Sequence, residues 1–313
     1  MKKLLLLLPL AMSISHGVSI AQTVSTPIVG FSKISVPAGG RLVAPVFVKA
    51  PTYQGTATIA SGVATLNASI AGNLGPSTFT DRPNYPRYYL KITSGSYSGL
   101  VLDVSSNTST TVSLTDAPSG LTGSVSVVIV QHYTLGDFAL NAQDQGLSAY
   151  VDAVTFYDSG NNKRAYYYTG SGFISDDYST PADNVVIYPG SGVLLNAVNN
   201  CSVTMSGNVN TTSTLVPLYA GESIVAPIDP SGVSKVGTIN LASSLSPYVD
   251  AASTVLVDGT LATSAYYSDG AQMLDQNYDP LSGSTSPAIT VGNGFIVNAV
   301  ADSQWSQPPV INP

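Results

Sequence analysis

The strongest constraint on this chain is a segment that it carries twice. The first copy reads Tyr188-Pro189-Gly190-Ser191-Gly192-Val193-Leu194-Leu195-Asn196-Ala197-Val198, and the second reads Val291-Gly292-Asn293-Gly294-Phe295-Ile296-Val297-Asn298-Ala299-Val300. Each is a Gly-x-Gly corner followed by an apolar run that ends Asn-Ala-Val. Glycine admits the positive φ that a tight turn needs. The run behind it is rich in β-branched and aliphatic residues and too short for a solitary helix, which predicts a buried strand. Gly190, Gly192, Gly292 and Gly294 are therefore expected as structural corner residues, with a positive φ in each pair.

Other landmarks recur in the same order. Ala38-Gly39-Gly40-Arg41-Leu42-Val43-Ala44-Pro45 returns as Ala220-Gly221-Glu222-Ser223-Ile224-Val225-Ala226-Pro227. Tyr150-Val151-Asp152-Ala153 returns as Tyr248-Val249-Asp250-Ala251, and Ala165-Tyr166-Tyr167 as Ala265-Tyr266-Tyr267. Collinear echoes of this kind predict one unit used twice. Nine residues separate Pro227 from Val236, whereas ninety separate Pro45 from its matching landmark, Leu135. The excess is an insertion over 51–133, with strand signals at Thr56 to Ile59, Arg87 to Thr93, Leu100 to Val104, Thr111 to Leu114 and Val125 to Gln131.

No stretch holds a capped 3.6-residue apolar period, and short β-rich runs between Gly, Asn, Asp, Ser and Pro dominate, so the class is all-β. The expected organisation is a first β repeat at 22–50 plus 134–210, the inserted small β unit at 51–133, a second repeat at 211–303 and a proline-rich tail at 304–313. Each repeat is expected as a β-sandwich or jelly-roll-like half, and the insertion as a small barrel or compact sheet.

Residues 1–21 read as an export signal: Lys2 and Lys3, an apolar core from Leu4 to Met12, then the small residues of Ser19-Ile20-Ala21. The apolar run is too short for a transmembrane anchor. Removing it leaves nine basic residues against 18 acids. Such a chain is a poor partner for nucleic acid or an anionic membrane. Charged residues make up 9% of the sequence, against about 25% in ordinary soluble domains. Solubility then rests on hydroxyls and amides, a surface that repels copies of itself weakly and suits assembly or adhesion.

Few residues offer chemistry. His132 ends an apolar strand and is expected as a structural imidazole; no Gly-x-Ser-x-Gly elbow accompanies it. Cys201 has no second cysteine to pair with and is expected as a buried thiol. Asp176, Asp177, Asp183, Asp275 and Asp279 fall in polar loops and are expected as solvated turn acids. They are also candidate calcium ligands, carboxylates being among calcium's usual donors, although their spacing fits neither an EF-hand nor a nonapeptide calcium loop. A pair of them is the minimum for glycoside chemistry. Tyr166, Tyr168, Tyr178, Tyr266 and Tyr278 are candidate stacking faces for a sugar or a protein partner. Strand alternation places one tyrosine of each adjacent pair in the core.

The order Tyr89-Leu90-Lys91-Ile92-Thr93-Ser94-Gly95, Gly99-Leu100-Val101-Leu102-Asp103-Val104, Tyr133-Thr134-Leu135-Gly136-Asp137-Phe138 and the closing Gly-x-Gly strand resembles a family of secreted, all-β bacterial proteins without an assigned function. The chain departs from it at Val291, where that family has proline before the glycine. The resemblance implies export and a β fold and brings no catalytic residues. The leading expectation is an exported, non-enzymatic surface or extracellular protein. It would act through self-association or through contacts with envelope protein or glycan, without a cofactor. The alternative is a carbohydrate-binding module that uses tyrosines and loop aspartates, and a third reading is a glycoside-active enzyme.

Overall fold

The computed structural model describes residues 28–76, 85–142, 146–157, 162–253 and 265–309. The expected export signal and residues 310–313 of the expected tail lie outside the described residues. The regular structure is nearly all strand. Strands β1 (Val29–Val36) and β2 (Arg41–Val43) lead into β3 (Pro51–Ala60), β4 (Val63–Leu66), β5 (Tyr88–Ile92), β6 (Val101–Asn107), β7 (Thr111–Leu114) and β8 (Gly123–Gln131). Then come β9 (Tyr133–Thr134), the short helix α1 (Leu135–Ala142), β10 (Ala153–Tyr157), β11 (Lys163–Tyr168), β12 (Phe173–Ser175), β13 (Val186–Ile187), β14 (Val193–Asn196) and β15 (Cys201–Asn208). The rest of the chain forms β16 (Thr214–Leu218), β17 (Gly221–Val225), β18 (Ala251–Ser253), β19 (Ala265–Ser268), β20 (Met273–Leu274), β21 (Phe295–Ala299) and β22 (Ser303–Gln307).

Strands β3 to β8 close into a barrel in the order β3-β4-β7-β6-β5-β8. Alternation builds it: Ala57 and Ile59 point inward and are buried, while Thr56 and Thr58 between them do not. Leu90, Ile92, Leu102, Val104, Val127 and Ile129 complete the filling. Closure leaves no exposed sheet edge, which protects a strand-rich insertion from pairing with neighbours. Strand β4 has no counterpart among the sequence signals; it follows β3 directly through the tight turn Ser61-Gly62, both residues at positive φ.

The remaining strands fall mainly into two five-stranded sheets, each sharing one core with a two-stranded ribbon as a sandwich, while β9 and β13 pair separately. One five-stranded sheet runs β12-β11-β10-β14-β2, and the other, read in the same sense, runs β20-β19-β18-β21-β17. Register agrees as well as order. Ala153 faces Asn196 on one side and Tyr167 on the other, and Ala251 likewise faces Asn298 and Tyr267. A two-stranded ribbon covers each sheet: β1 with β15, and β16 with β22. Val36 lies opposite Cys201 in the first ribbon, and Leu218 opposite Ser303 in the second. Cys201 is a free, buried thiol, and burial pushes its pKa up to about 11.

Residues 304–307 are a correction to the expected tail. They belong to β22, and Trp305, 1% exposed, fills the second core while its indole N–H donates to the Ile239 carbonyl at 2.8 Å. Gln307 is also buried; its Nε2 donates to the Ala226 carbonyl and its Oε1 accepts from the Ile228 N–H, each at 2.9 Å. Serine and glutamine around one tryptophan carry too little apolar alternation to mark a strand.

The two sandwiches are joined at the Gly-x-Gly corners, each of which hydrogen-bonds to the other unit. Gly192 N–H donates to the Ile224 carbonyl at 2.9 Å, and Gly294 N–H to the Leu42 carbonyl at 3.2 Å. In return, Ala44 N–H donates to the Gly292 carbonyl at 3.0 Å and Ala226 N–H to the Gly190 carbonyl at 2.9 Å. The first glycine of each corner has positive φ, +82° at Gly190 and +73° at Gly292. Both are also crowded by the opposite unit. A Cβ on Gly190 would lie 2.3 Å from Val216 Cγ2, and one on Gly292 would lie 2.1 Å from Ile34 Cδ1.

These contacts separate steric crowding from backbone strain. Gly95 has a similar φ of +76°, but a methyl group added there would meet nothing within 4 Å, so alanine feels the backbone strain alone. Gly292→Ala is expected to lower stability by clearly more than Gly95→Ala, and by more than the ~1 kcal/mol typical of a glycine-to-alanine change. Denaturant midpoints of the two variants measure the difference.

Candidate functional site

The barrel, the first sheet, the Tyr188–Gly192 corner and the second unit meet around a cleft of about 910 Å³. Asp103 enters it from β6 and Asp116 from the turn after β7; Tyr157 and Arg164 come from β10 and β11, and Asp176 from just after β12. Tyr188 and Tyr219 close the far side, and Leu100, Leu102, Ile187 and Val225 add apolar wall. The mixture of flat aromatic faces, carboxylates and one guanidinium differs from a purely apolar pocket.

Asp103 is fixed by two donors. Its Oδ1 lies 3.0 Å from His132 Nε2, and its Oδ2 accepts the Tyr188 hydroxyl at 2.7 Å. His132 is fully buried and packed between the rings of Tyr89 and Tyr188. Burial lowers its pKa, although the hydrogen bond and charge of Asp103 pull the other way. Nε2–H then donates to Asp103, and Nδ1 has no partner among the described residues. The Tyr188 hydroxyl is pushed above its ordinary pKa, first by burial and then by Asp103. Tyr157 is raised to about 12, chiefly by its hydrogen bond to Glu222. His132 thus acts from behind the wall, orienting a carboxylate that the cleft presents.

A second feature is a pair of exposed platforms. Tyr150, Val151, Tyr178 and Val198 are exposed in the first unit, and Tyr248, Val249, Tyr278 and Val300 in the second. Tyr167 and Tyr178 stack with centroids 4.7 Å apart, and Tyr267 and Tyr278 at 5.2 Å, both pairs inclined by 26°. Tyr150, Tyr178, Tyr248 and Tyr278 all hold left-handed backbone, with φ of 60°, 54°, 59° and 64°. That region is uncommon for a bulky side chain and costs of order 1–3 kcal/mol per residue.

Buried aspartates hold the loops that carry Tyr150 and Tyr248. Asp152, 1% exposed, accepts the Ser148 N–H at 2.7 Å with Oδ2 and the Val198 N–H at 2.8 Å with Oδ1. Asp250, also 1% exposed, accepts the Ser246 and Val300 N–H groups at 2.7 and 2.9 Å in the same way. Each carboxylate ties the Tyr-Val loop to the end of the Asn-Ala-Val strand.

The residues singled out from the sequence divide accordingly. Tyr178 and Tyr278 are exposed. Tyr166, Tyr168 and Tyr266 are a correction to their expected role as stacking faces: the pleat turns them inward and they are buried, with Tyr167 and Tyr267 as the outward rings. Tyr166 stacks on Phe156 at 5.3 Å and shows only an edge to the cleft. Asp176 reaches the cleft. Asp177 accepts the N–H groups of Ser179 and Thr180 and the Thr180 hydroxyl, and these bonds hold its pKa down to about 2. Asp275 caps Asn277 and Asp279, whose own carbonyl accepts the Asp275 N–H. Asp183 binds the Phe173 N–H at 2.8 Å. Among the described residues, no group of three or more His, Cys, Asp or Glu side chains is placed to hold a metal ion. Asp103, Asp116, Tyr157, Arg164, Tyr188 and Tyr219 are not marked by any local pattern, because six separate places along the chain bring them together. Tyr150 and Tyr248 sat in plain view within the repeated Tyr-Val-Asp-Ala.

No protein-family model, curated protein or solved structure matches this chain, so what the cleft and platforms can do follows from their own geometry.

Two measurements probe these supports. Asp152→Ala leaves two part-buried N–H groups without an acceptor, and unmet groups cost about 1–3 kcal/mol each. Its destabilisation should therefore exceed about 2 kcal/mol, while Asp152→Asn, which keeps one acceptor, should lose less. The second concerns pH. His132 is held below its ordinary pKa of 6.5, so as pH falls through 6.5 the unfolded chain binds a proton that the folded chain refuses. Stability should decline below that point, and His132→Gln should flatten the decline in a urea titration across pH.

Proposed function

We propose that this protein is exported and works without catalysis, as a surface or extracellular protein that makes two equivalent contacts with its surroundings. The observation that carries this reading is the matched pair of Tyr-Val platforms, exposed at corresponding places in both units and held there by strained backbone. Left-handed tyrosines persist where the surrounding structure over-determines them, a pattern found at ligand clamps and contact sites. Tyrosine supplies broad contact area for little entropy. Sparse charge leaves weak repulsion between copies. Two like patches on one chain bring avidity against a repetitive partner, including further copies of this chain. The same reading takes the two sandwiches as one unit used twice; their shared strand order, shared register and reciprocal corner bonds support it. Among the described residues, no helix is long and apolar enough to cross a membrane.

A second reading, carbohydrate binding, is favoured by the cleft. Sugars bind through C–H faces on aromatic rings and hydroxyls on carboxylates, and Tyr157, Tyr188, Asp103, Asp116 and Arg164 supply both.

The experiment is sedimentation velocity over a range of concentrations, with and without calcium, together with fractionation of producing cells. Wild-type protein is expected to self-associate or to remain with the envelope, and the double change Tyr178→Gly with Tyr278→Gly should abolish this while leaving the fold at least as stable. A strictly monomeric protein found only in the medium would overturn the reading. On a glycan array, binding lost at least about tenfold in Tyr157→Ala but kept in the platform variant would transfer the function to the cleft. Association that appears only with calcium would return a role to the loop aspartates.

A further inference from the structure

Lys91 of β5 is 4% exposed, yet among the described residues no carboxylate pairs with it. Its Nζ lies against the linker between β15 and β16: 2.7 Å from Asn210 Oδ1, 3.2 Å from Thr214 Oγ1 and 3.4 Å from the Thr212 carbonyl. Asn210 is 4% exposed and Thr214 fully buried. Thr214 Oγ1 also lies 3.1 Å from Asn210 Nδ2, so one hydroxyl touches both nitrogens. Burial without a counter-charge lowers the lysine pKa to about 7. A large share of the amine is then neutral near neutrality, and a neutral, desolvated lysine is a nucleophile.

We propose that Lys91 and Asn210 join in an isopeptide bond that staples the barrel to the linker between the two sandwiches. The Nζ lone pair attacks Asn210 Cγ, the atom bonded to the oxygen it already contacts. A C–N bond forms and the Cγ–Nδ2 bond breaks. One Nζ proton passes through the Thr214 hydroxyl to Nδ2, which leaves as ammonia. Nothing is oxidised or reduced, and ammonia is the sole by-product. The Nζ–Oδ1 contact of 2.7 Å keeps amine and carboxamide side by side, and such proximity lowers the entropic cost of a reaction between two groups. The bond spans 119 positions of chain, and cross-links that close long loops restrict the unfolded state most. The proposal stands on this cluster alone and does not depend on the surface contacts argued above.

Peptide mapping of the purified, denatured full chain by mass spectrometry tests it, after incubation at about pH 9, where the amine is neutral. The expected result is a branched peptide joining Lys91 to Asn210, lighter by one ammonia than its two linear parts. Lys91→Met should lack it, and Thr214→Val should form it roughly 100-fold more slowly, the scale of a lost proton relay. Ammonia lost elsewhere leaves both peptides linear, so the branch decides. Recovery of Lys91 and Asn210 only in linear peptides from the wild-type chain would overturn the proposal.

Discussion

The reciprocal bonds at the Gly-x-Gly corners set the rest of the structure. Each corner offers its backbone to the opposite unit, Gly192 to Ile224 of β17 and Gly294 to Leu42 of β2, and accepts a bond from the residue that follows that strand. A net gain of about 0.5–1.5 kcal/mol per hydrogen bond is modest. The cost of leaving such groups buried and unpaired is larger, so the two sandwiches are held as one body. Glycine is required for two reasons at once: the turn needs positive φ, and the opposing Val216 and Ile34 leave no room for a methyl group. With the junction fixed, the barrel has one place to lie. It docks on the linker through Lys91 and on β16 through the Leu215 N–H bond to the Gly99 carbonyl at 2.8 Å. The cleft is the space that these three bodies leave between them.

Much of this fold was legible in the sequence because its signals are local. Glycine corners, β-branched runs and short polar turns each report on a few neighbouring residues, and they marked most barrel strands and both Asn-Ala-Val strands. What escaped is non-local. A period of two says that adjacent tyrosines face opposite ways, but the register against neighbouring strands decides which one is buried. Tyr166 and Tyr168 went inward for that reason. Trp305 was hidden by its polar neighbours, although a lone tryptophan has a large apolar area to bury. Nothing in the Gly-x-Gly pattern shows that its hydrogen-bond partners belong to the other unit. The cleft is the extreme case, since Asp103, Arg164 and Tyr219 become neighbours only after all three bodies have docked.

Strain and support are paired in the platforms. Four tyrosines occupy backbone that their side chains disfavour, and a buried aspartate with two N–H partners sits at the root of the loops of two of them, Tyr150 and Tyr248. A carboxylate can accept several such bonds at once, which a neutral side chain of that size does less well. The Tyr-Val-Asp-Ala segment therefore combines a support and a displayed surface within four residues. It reads identically in both places, and in both the valine beside the strained tyrosine is exposed.

The barrel raises a different question, because only one unit carries it. Where the first unit has β3 to β8, the second crosses from Pro227 to Val236 in nine residues. An insertion hung from a single pair of strand ends would pivot unless something else held it. Three contacts far apart in sequence do so: Asp103 with Tyr188 on the corner, Gly99 with Leu215 on β16, and Lys91 with Asn210 and Thr214 on the linker. Two of these reach beyond the unit into which the barrel is inserted, so the barrel bridges the junction instead of decorating one side. The position of a buried, uncompensated lysine follows from this. An apolar residue would have filled the space at lower electrostatic cost, whereas an amine held against a carboxamide can make that bridge covalent.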